Sequence, residues 1–157
     1  MQRSAGALKF AGLKGTRPPG GGTNHNNNTL VTMYDLHLSE EQLAIRDTVR
    51  DFVTQEITPV ALQPERLEPF DPPLPLDLID QGAALGLRTL ALAEDVGGAG
   101  ADTLTCCIVA EELAAGDVDV AVVLAETAVL GGLLFGRLMN AEQRERLLPP
   151  FLDDNRY

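Results

Sequence analysis

The sequence predicts an all-α domain, a bundle of five or six helices that run up and down. Three observations support this fold class. Apolar residues recur at spacings of three and four, capping residues precede those runs, and no stretch alternates as a half-buried strand does. The 157 residues are 45% hydrophobic but only 4% aromatic, so one domain with a largely aliphatic core is expected.

The first helix is predicted to begin after Ser39, because Ser39 and Gln42 have the spacing of a capping box. An apolar stripe follows, formed by Ile45, Val49, Phe52 and Val53. Pro59 is expected to end this helix near Thr58. The proline-rich stretch 64–75 is predicted to be an irregular connection.

The next helix is predicted from Leu76 to Leu85, with Gly86 as the residue that ends it. The glycine-rich stretch 97–100 invites comparison with a phosphate-binding loop. It lacks both the Gly-x-Gly-x-x-Gly and the Lys-Ser/Thr patterns, and Glu94 and Asp95 would repel phosphate, so a turn is predicted.

Asp102 is expected to cap a helix that continues to about Ala115. Its predicted inner face consists of Leu104, Cys107, Ile108 and Leu113. Glu111 and Glu112 are adjacent, so their side chains diverge by about 100° around a helix. We therefore predict one salt bridge and one solvated charge rather than an acid/base pair.

A long apolar helix is predicted from Val118 to Met139, and the stretch 120–136 carries a single charge, Glu126. A membrane span is one interpretation, and the central helix of a soluble bundle is the favoured one. In the soluble bundle Glu126 needs a water-lined ligand pocket or an arginine partner. Asn140 and Gln143 predict a final helix, which Pro149 and Pro150 are expected to end.

The net charge of -11 excludes a protein that binds nucleic-acid phosphates through a basic face. Cys106 and Cys107 are adjacent and not expected to form a disulfide, so a reducing, cytoplasmic location is predicted. With two histidines and two cysteines, no structural zinc site is expected. Residues 1–33 are basic, glycine-rich and asparagine-rich. They are predicted to be a disordered tail or an over-long start, with Met33 as the true initiator; a targeting peptide is the alternative.

Residues 34–156 resemble the N-terminal helical domain of the acyl-CoA dehydrogenase family. Five blocks carry the resemblance in the family's order: 34–42, 56–61, 86–100, 109–114 and 142–150. Two positions depart from the pattern, since Ala93 replaces a proline and Met139 stands where the family has glycine. The family continues into a flavin-binding β domain and a C-terminal bundle that carries the catalytic base, whereas this sequence ends at Tyr157.

The resemblance implies a fragment (residues 34–157) of an FAD-dependent enzyme that oxidises an acyl-CoA thioester to the trans-2-enoyl-CoA. FAD would be bound by the domains that are missing here, and no catalytic, flavin-binding or metal-binding residue is expected in this chain. Electron-transfer flavoprotein is the implied acceptor, and the complete enzyme would be a homo-oligomer. Glu126, Leu130 and Leu134 are predicted to line the acyl pocket, with core packing as the alternative for the two leucines.

Two further interpretations remain open from the sequence. A flavin monooxygenase or acyl-CoA oxidase of the same superfamily would begin with the same helical domain. A non-catalytic helical interaction module would melt as a cooperative monomer, whereas a severed domain would aggregate through exposed apolar faces.

Overall fold

The computed structural model describes residues 37–67 and 74–153, and within these ranges it contains helices and no strand. The predicted all-α class is confirmed. The calls on residues 1–33 lie outside the described residues. The α-helices are α1 (Glu40–Phe52), α2 (Thr58–Ala61), α3 (Pro64–Leu67), α4 (Leu76–Ala84), α5 (Thr103–Gly116), α6 (Val118–Leu133) and α7 (Ala141–Asp153).

The chain stays helical beyond α1 and does not stop near Thr58, where Pro59 was predicted to end the helix. A π-helical turn, Val53–Ile57, joins α1 to α2, and the Thr58 amide donates to the Val53 carbonyl five residues earlier. Pro59 then lies in the first turn of α2, where a missing amide donor costs little. The wider turn therefore allows the chain to continue as a helix through the proline.

The core is largely aliphatic, and it lies where α5 and α6 pack side by side. Helix α1 packs on α5, while α4 and the 3-10 turn Leu87–Thr89 pack on α6. Ile57, Ile79, Leu113 and Val120 are fully buried at the centre. Helices α1, α4, α5 and α6 all contribute side chains to the core. The position of α6 therefore depends on its packing against the other three helices.

The predicted inner face of α5 is only half right. Ile108 and Leu113 are buried, but Leu104 is 50% exposed and Cys107 is exposed. Thr105 and Val109 are buried instead. Apolar residues surround this helix on all sides, so their spacing alone did not single out the face that meets α1 and α6.

An ion pair fixes the start of α6. Asp117 accepts hydrogen bonds from the amides of Asp119 and Val120, at 2.9 and 3.2 Å, and so caps the helix. Its second oxygen pairs with Arg66 of α3 at 2.5 Å, and the exposed fractions of the two side chains are only 7% and 6%. The stretch 64–67, predicted to be irregular, is therefore a helical turn that supplies a buried cation.

The last helix passes through Pro149 and Pro150, which the sequence analysis expected to end it. Phe151 explains the continuation. Its carbonyl accepts a hydrogen bond from Arg88 at 2.6 Å, and its ring packs against Phe135 with the centroids 4.9 Å apart. The Arg88 guanidinium also lies 5.0 Å from the Phe151 ring centroid, in cation–π range. These tertiary contacts stabilise the helical conformation of α7 beyond Pro149 and Pro150.

Candidate functional site

Helix α6 has a buried side and an exposed side, and both are apolar. Val120, Leu124 and Ala128 are at most 3% exposed and face the core. The opposite side, which we call the α6 face, is formed by Val122, Glu126, Val129, Leu130, Leu133 and Leu134. The apolar members of this face are 39% to 51% exposed, so they form a contiguous apolar surface.

The structure brings the three predicted site residues together on this face. Glu126, Leu130 and Leu134 are spaced by four residues, and all three are exposed. Leu130 is 51% and Leu134 is 39% exposed, so the alternative that these leucines pack in the core is wrong. Their pocket-lining role is compatible with this position and stays a prediction.

Glu126 is the single charged side chain of the α6 face. It makes no hydrogen bond and no ion pair with any residue of 37–67 or 74–153, so the proposed arginine partner is not found in this part of the chain. The carboxylate is accessible, because the residue is exposed between Val122 and Leu130. An open carboxylate surrounded by aliphatic side chains can accept a hydrogen bond from a group that covers this face.

The segment Val118–Leu138 is the one helix in the described residues that is long and apolar enough to cross a membrane. A third of its most apolar 18-residue window is buried inside the bundle. Core helices of soluble proteins have the same length and composition, so this feature by itself does not indicate a span.

The glycine-rich stretch after Ala93 is a compact turn, as predicted. Gly97 and Gly100 adopt positive φ angles of 97° and 65°. A Cβ atom on Gly98 would lie 2.0 Å from the Leu92 carbonyl oxygen, so only glycine fits there.

The amides of this turn are committed to the protein itself. Those of Gly98, Ala99 and Gly100 donate to the carbonyls of Ala93, Thr89 and Leu92, respectively. They are therefore not available to bind the phosphates of a flavin or another nucleotide. The turn does not fit a cofactor-binding role.

The remaining candidate groups have structural roles. Arg50 donates to both oxygens of Glu112, at 2.9 and 2.5 Å, while Glu111 is exposed, as the sequence analysis predicted for this pair. The hydrogen bond and charge of Glu112 raise the pKa of Arg50. Within the described ranges, no group of three or more His, Cys, Asp or Glu residues could hold a metal ion.

Two titratable groups lie at the start of α5. The Asp102 carboxylate accepts the Thr105 amide at 2.7 Å, which lowers the pKa of Asp102. Burial raises the pKa of Cys106. Both cysteines are free thiols, as predicted. Asp117 was not predicted as a helix cap, although an aspartate directly before an apolar run is a known signal. No local pattern indicates that Arg66 and Arg88 are buried.

Comparison with known proteins identifies the relatives of this chain. Residues 39–155 match the family model "Acyl-CoA dehydrogenase, N-terminal domain". The chain is 32% identical over 117 residues to an acyl-CoA dehydrogenase of Bacillus subtilis, a match that covers 73% of this chain and 29% of the relative.

Two further relatives extend this result. A benzylmalonyl-CoA dehydrogenase of Aromatoleum aromaticum is 32% identical over 122 residues, which is 78% of this chain and 31% of that protein. The mitochondrial short-chain specific acyl-CoA dehydrogenase of Rattus norvegicus is 29% identical over 131 residues, 81% of this chain and 30% of that protein. The chain therefore spans about three tenths of the length of these curated relatives.

Proposed function

Because the chain belongs to the acyl-CoA dehydrogenase family, we propose that its α6 face forms one wall of the acyl pocket in an FAD-dependent enzyme. That enzyme would oxidise an acyl-CoA thioester to the trans-2-enoyl-CoA. The observation that carries the proposal is the exposed, apolar α6 face, which holds Glu126, Leu130 and Leu134 together. A folded helix that leaves these side chains uncovered has surface available for an apolar ligand.

The chemistry of the α6 face suits the hydrocarbon part of an acyl thioester. Leu130 and Leu134 offer methyl groups to methylene groups of the chain, and each methylene that they bury would contribute about 0.8 kcal/mol. Glu126 would disfavour binding of an apolar group next to its carboxylate, because removing water from a carboxylate that gains no hydrogen-bonding partner costs free energy. The leucines would therefore hold the acyl chain, and Glu126 would limit where it can lie.

The glycine-rich turn does not fit a flavin site, because its amides are all engaged within the protein. In this proposal FAD is held by the other domains of the enzyme, where it supplies the hydride acceptor. The work of residues 39–155 is to bind and orient the acyl chain. Electron-transfer flavoprotein as acceptor, assembly into a homo-oligomer and a cytoplasmic location belong to the same proposal and follow from the family alone.

A chimeric enzyme tests the role of the α6 face. Residues 39–155 would replace the matching domain of the Bacillus subtilis acyl-CoA dehydrogenase, and acyl-CoA-dependent reduction of a dye would be measured. Leu130→Trp and Leu134→Trp should each lower kcat/KM about tenfold for acyl chains that reach them. The matched control is Leu62→Trp, since Leu62 is 66% exposed and lies at the end of α2, not on the α6 face.

Equal effects of the Leu130 and Leu62 variants would refute the pocket assignment. The isolated chain gives a second test. Supplied with FAD, an acyl-CoA and the dye, it should show no reduction, because the proposal assigns the flavin site and the catalytic base to other domains of the enzyme. Turnover by the isolated chain would contradict the proposal that other domains hold FAD and supply the catalytic base.

A further inference from the structure

The last turn of α7 lacks part of the hydrogen bonding of a regular helix. Proline has no amide hydrogen, so Pro149 and Pro150 cannot donate to the carbonyls four residues before them. A proline ring also crowds that carbonyl, and it disfavours the helical conformation in the residue that precedes it. The helical conformation of residues 149–153 therefore depends on contacts outside α7.

Phe151 makes such contacts with three parts of the bundle. Its ring lies on the buried Gly131 of α6, where an added Cβ atom would be 2.9 Å from the tip of the ring. The same ring packs against Phe135, and the Phe151 carbonyl accepts a hydrogen bond from Arg88. One side chain and its carbonyl therefore join the end of α7 to α6, to the π-helical turn that follows it and to the turn Leu87–Thr89.

The rest of α7 lies at the surface. No residue of this helix is buried. Its start is closed by the reciprocal hydrogen bonds of Asn140 and Gln143, which are local to the helix. Leu152 adds a contact at the C-terminal end, where a Cβ atom on Gly97 would lie 3.1 Å from its methyl carbon. The attachment of α7 is therefore concentrated in its last turn.

The contact of Phe151 with Phe135 reaches a second irregular element. Phe135 is the buried residue of the π-helical turn Leu134–Leu138 and is 6% exposed. This turn closes with a hydrogen bond of 2.8 Å from the Met139 amide to the Leu134 carbonyl, five residues earlier. Such turns are rare compared with regular α-helix. The two phenylalanines thus connect two segments that both depart from α-helical bonding.

We propose that residues 149–153 form a latch, which opens and closes on the bundle while the core stays folded and which holds the turn Leu134–Leu138 in its π-helical form. Missing hydrogen bonds and an attachment at one end make this opening less costly than global unfolding. Leu134 belongs to the α6 face, so the latch also fixes the end of that face. The inference rests on the contacts of Phe151 and does not require the acyl-pocket role of the α6 face.

Hydrogen exchange of single amides, followed by NMR on the monomeric fraction of the 157-residue chain, tests the opening. The amides of 151–153 and 135–138 should be at least about a hundredfold less protected than those of the core residues Leu113 and Leu124. Low urea concentrations should hardly change their exchange, because a local opening exposes little surface. Equal protection and equal urea dependence in the latch and the core would overturn the proposal.

Gly131→Ala pushes directly on the latch. The new methyl group would meet the Phe151 ring, whereas alanine is a better helix former than glycine, so α6 itself should not be weakened. Protection of the latch and of the turn Leu134–Leu138 should fall together, by about tenfold, with the core still better protected than both. Gly136→Ala is the control, because a Cβ atom there meets nothing within 4 Å, and it should leave the latch unchanged. The same fall in the control would overturn the assignment to Phe151.

Phe151→Ala tests the connection by removing the ring. Protection should again fall about tenfold in both the latch and the turn Leu134–Leu138. Leu147→Ala is the matched truncation on α7, since Leu147 is 38% exposed and lies before the latch, and it should change neither segment by more than about twofold. A fall in the latch that leaves the π-helical turn unchanged would contradict the coupling of the two segments.

Discussion

The two sides of α6 are alike in composition but opposite in environment. Leu124 is 1% exposed and lies against α4, where a Cβ atom on Gly82 would be 2.6 Å from its methyl carbon. Leu130, on the other side, is 51% exposed. An apolar helix face therefore indicates that something covers it, but it does not identify the helix, domain or ligand that does so. One side of α6 is buried by this bundle, and the other is free to meet a ligand or another domain.

The largest difference between the two sides should appear on truncation of a leucine. Leu124→Ala should lower the free energy of unfolding by about 4 kcal/mol, because it leaves a cavity between α6 and α4. The matched change on the exposed side, Leu130→Ala, should alter it by less than about 0.5 kcal/mol. Urea denaturation measures both values. Similar losses of unfolding free energy in the two variants would mean that both sides of α6 stabilise the fold.

The anchor at the start of α6 should have the next largest effect. Asp117→Ala removes the cap and the buried ion pair with Arg66, so about 3 kcal/mol should be lost. Asp119 also contacts Arg66, at 3.2 Å, and its side chain is 59% exposed. Asp119→Ala should therefore cost about 0.5 kcal/mol. A larger loss from Asp119 than from Asp117 would show that the capping contact is not the main anchor.

The cap of α5 should matter less and should depend on pH. Asp102→Ala should lower the free energy of unfolding by about 1 kcal/mol near neutral pH. The pKa of Asp102 is lowered in the folded state, so its contribution is present above the unfolded pKa of about 3.9 and is lost as the pH falls through the folded pKa.

Urea denaturation of wild type and Asp102→Ala, repeated from about pH 7 down to about pH 2, measures this dependence. The difference between the two proteins should shrink at the acid end. The exposed Asp51→Ala serves as control and should show no comparable difference at any pH. A difference between wild type and Asp102→Ala that stays constant over the range would rule out the carboxylate cap as its cause.

Glu126 should have the smallest effect on stability. Glu126→Gln removes a charge that has no partner among the described residues, so the free energy of unfolding should change by less than about 0.5 kcal/mol. The same change in the chimeric enzyme should alter the preference for acyl chain length. A loss of stability above about 1 kcal/mol would assign Glu126 to the fold instead of the pocket.

Local capping signals in the sequence correctly predicted where α1 and α7 begin and where α4 ends. The Ser39–Gln42 and Asn140–Gln143 boxes form both of their reciprocal hydrogen bonds, and Gly86 adopts the left-handed conformation. These features involve residues within a few positions of one another, so their geometry follows from local backbone chemistry.

The predictions that failed depend on distant contacts. Pro59 and Pro149–Pro150 were expected to end helices, yet a π-helical turn accommodates the first and the packing of Phe151 holds the second. The predicted inner face of α5 was also partly wrong, because apolar residues occur on all sides of that helix. Sequence spacing could not show which side meets α1 and α6.

The amino-acid sequence by itself determined the helical class, the caps and the run of aliphatic residues that makes α6 apolar, since these depend on short-range spacing and side-chain chemistry. Tertiary structure alone decided which side of α6 is covered. It also decided that Arg66 and Arg88 are buried and that Glu126, Leu130 and Leu134 share an open face. Burial depends on which helices pack together, and that arrangement is a property of the whole bundle.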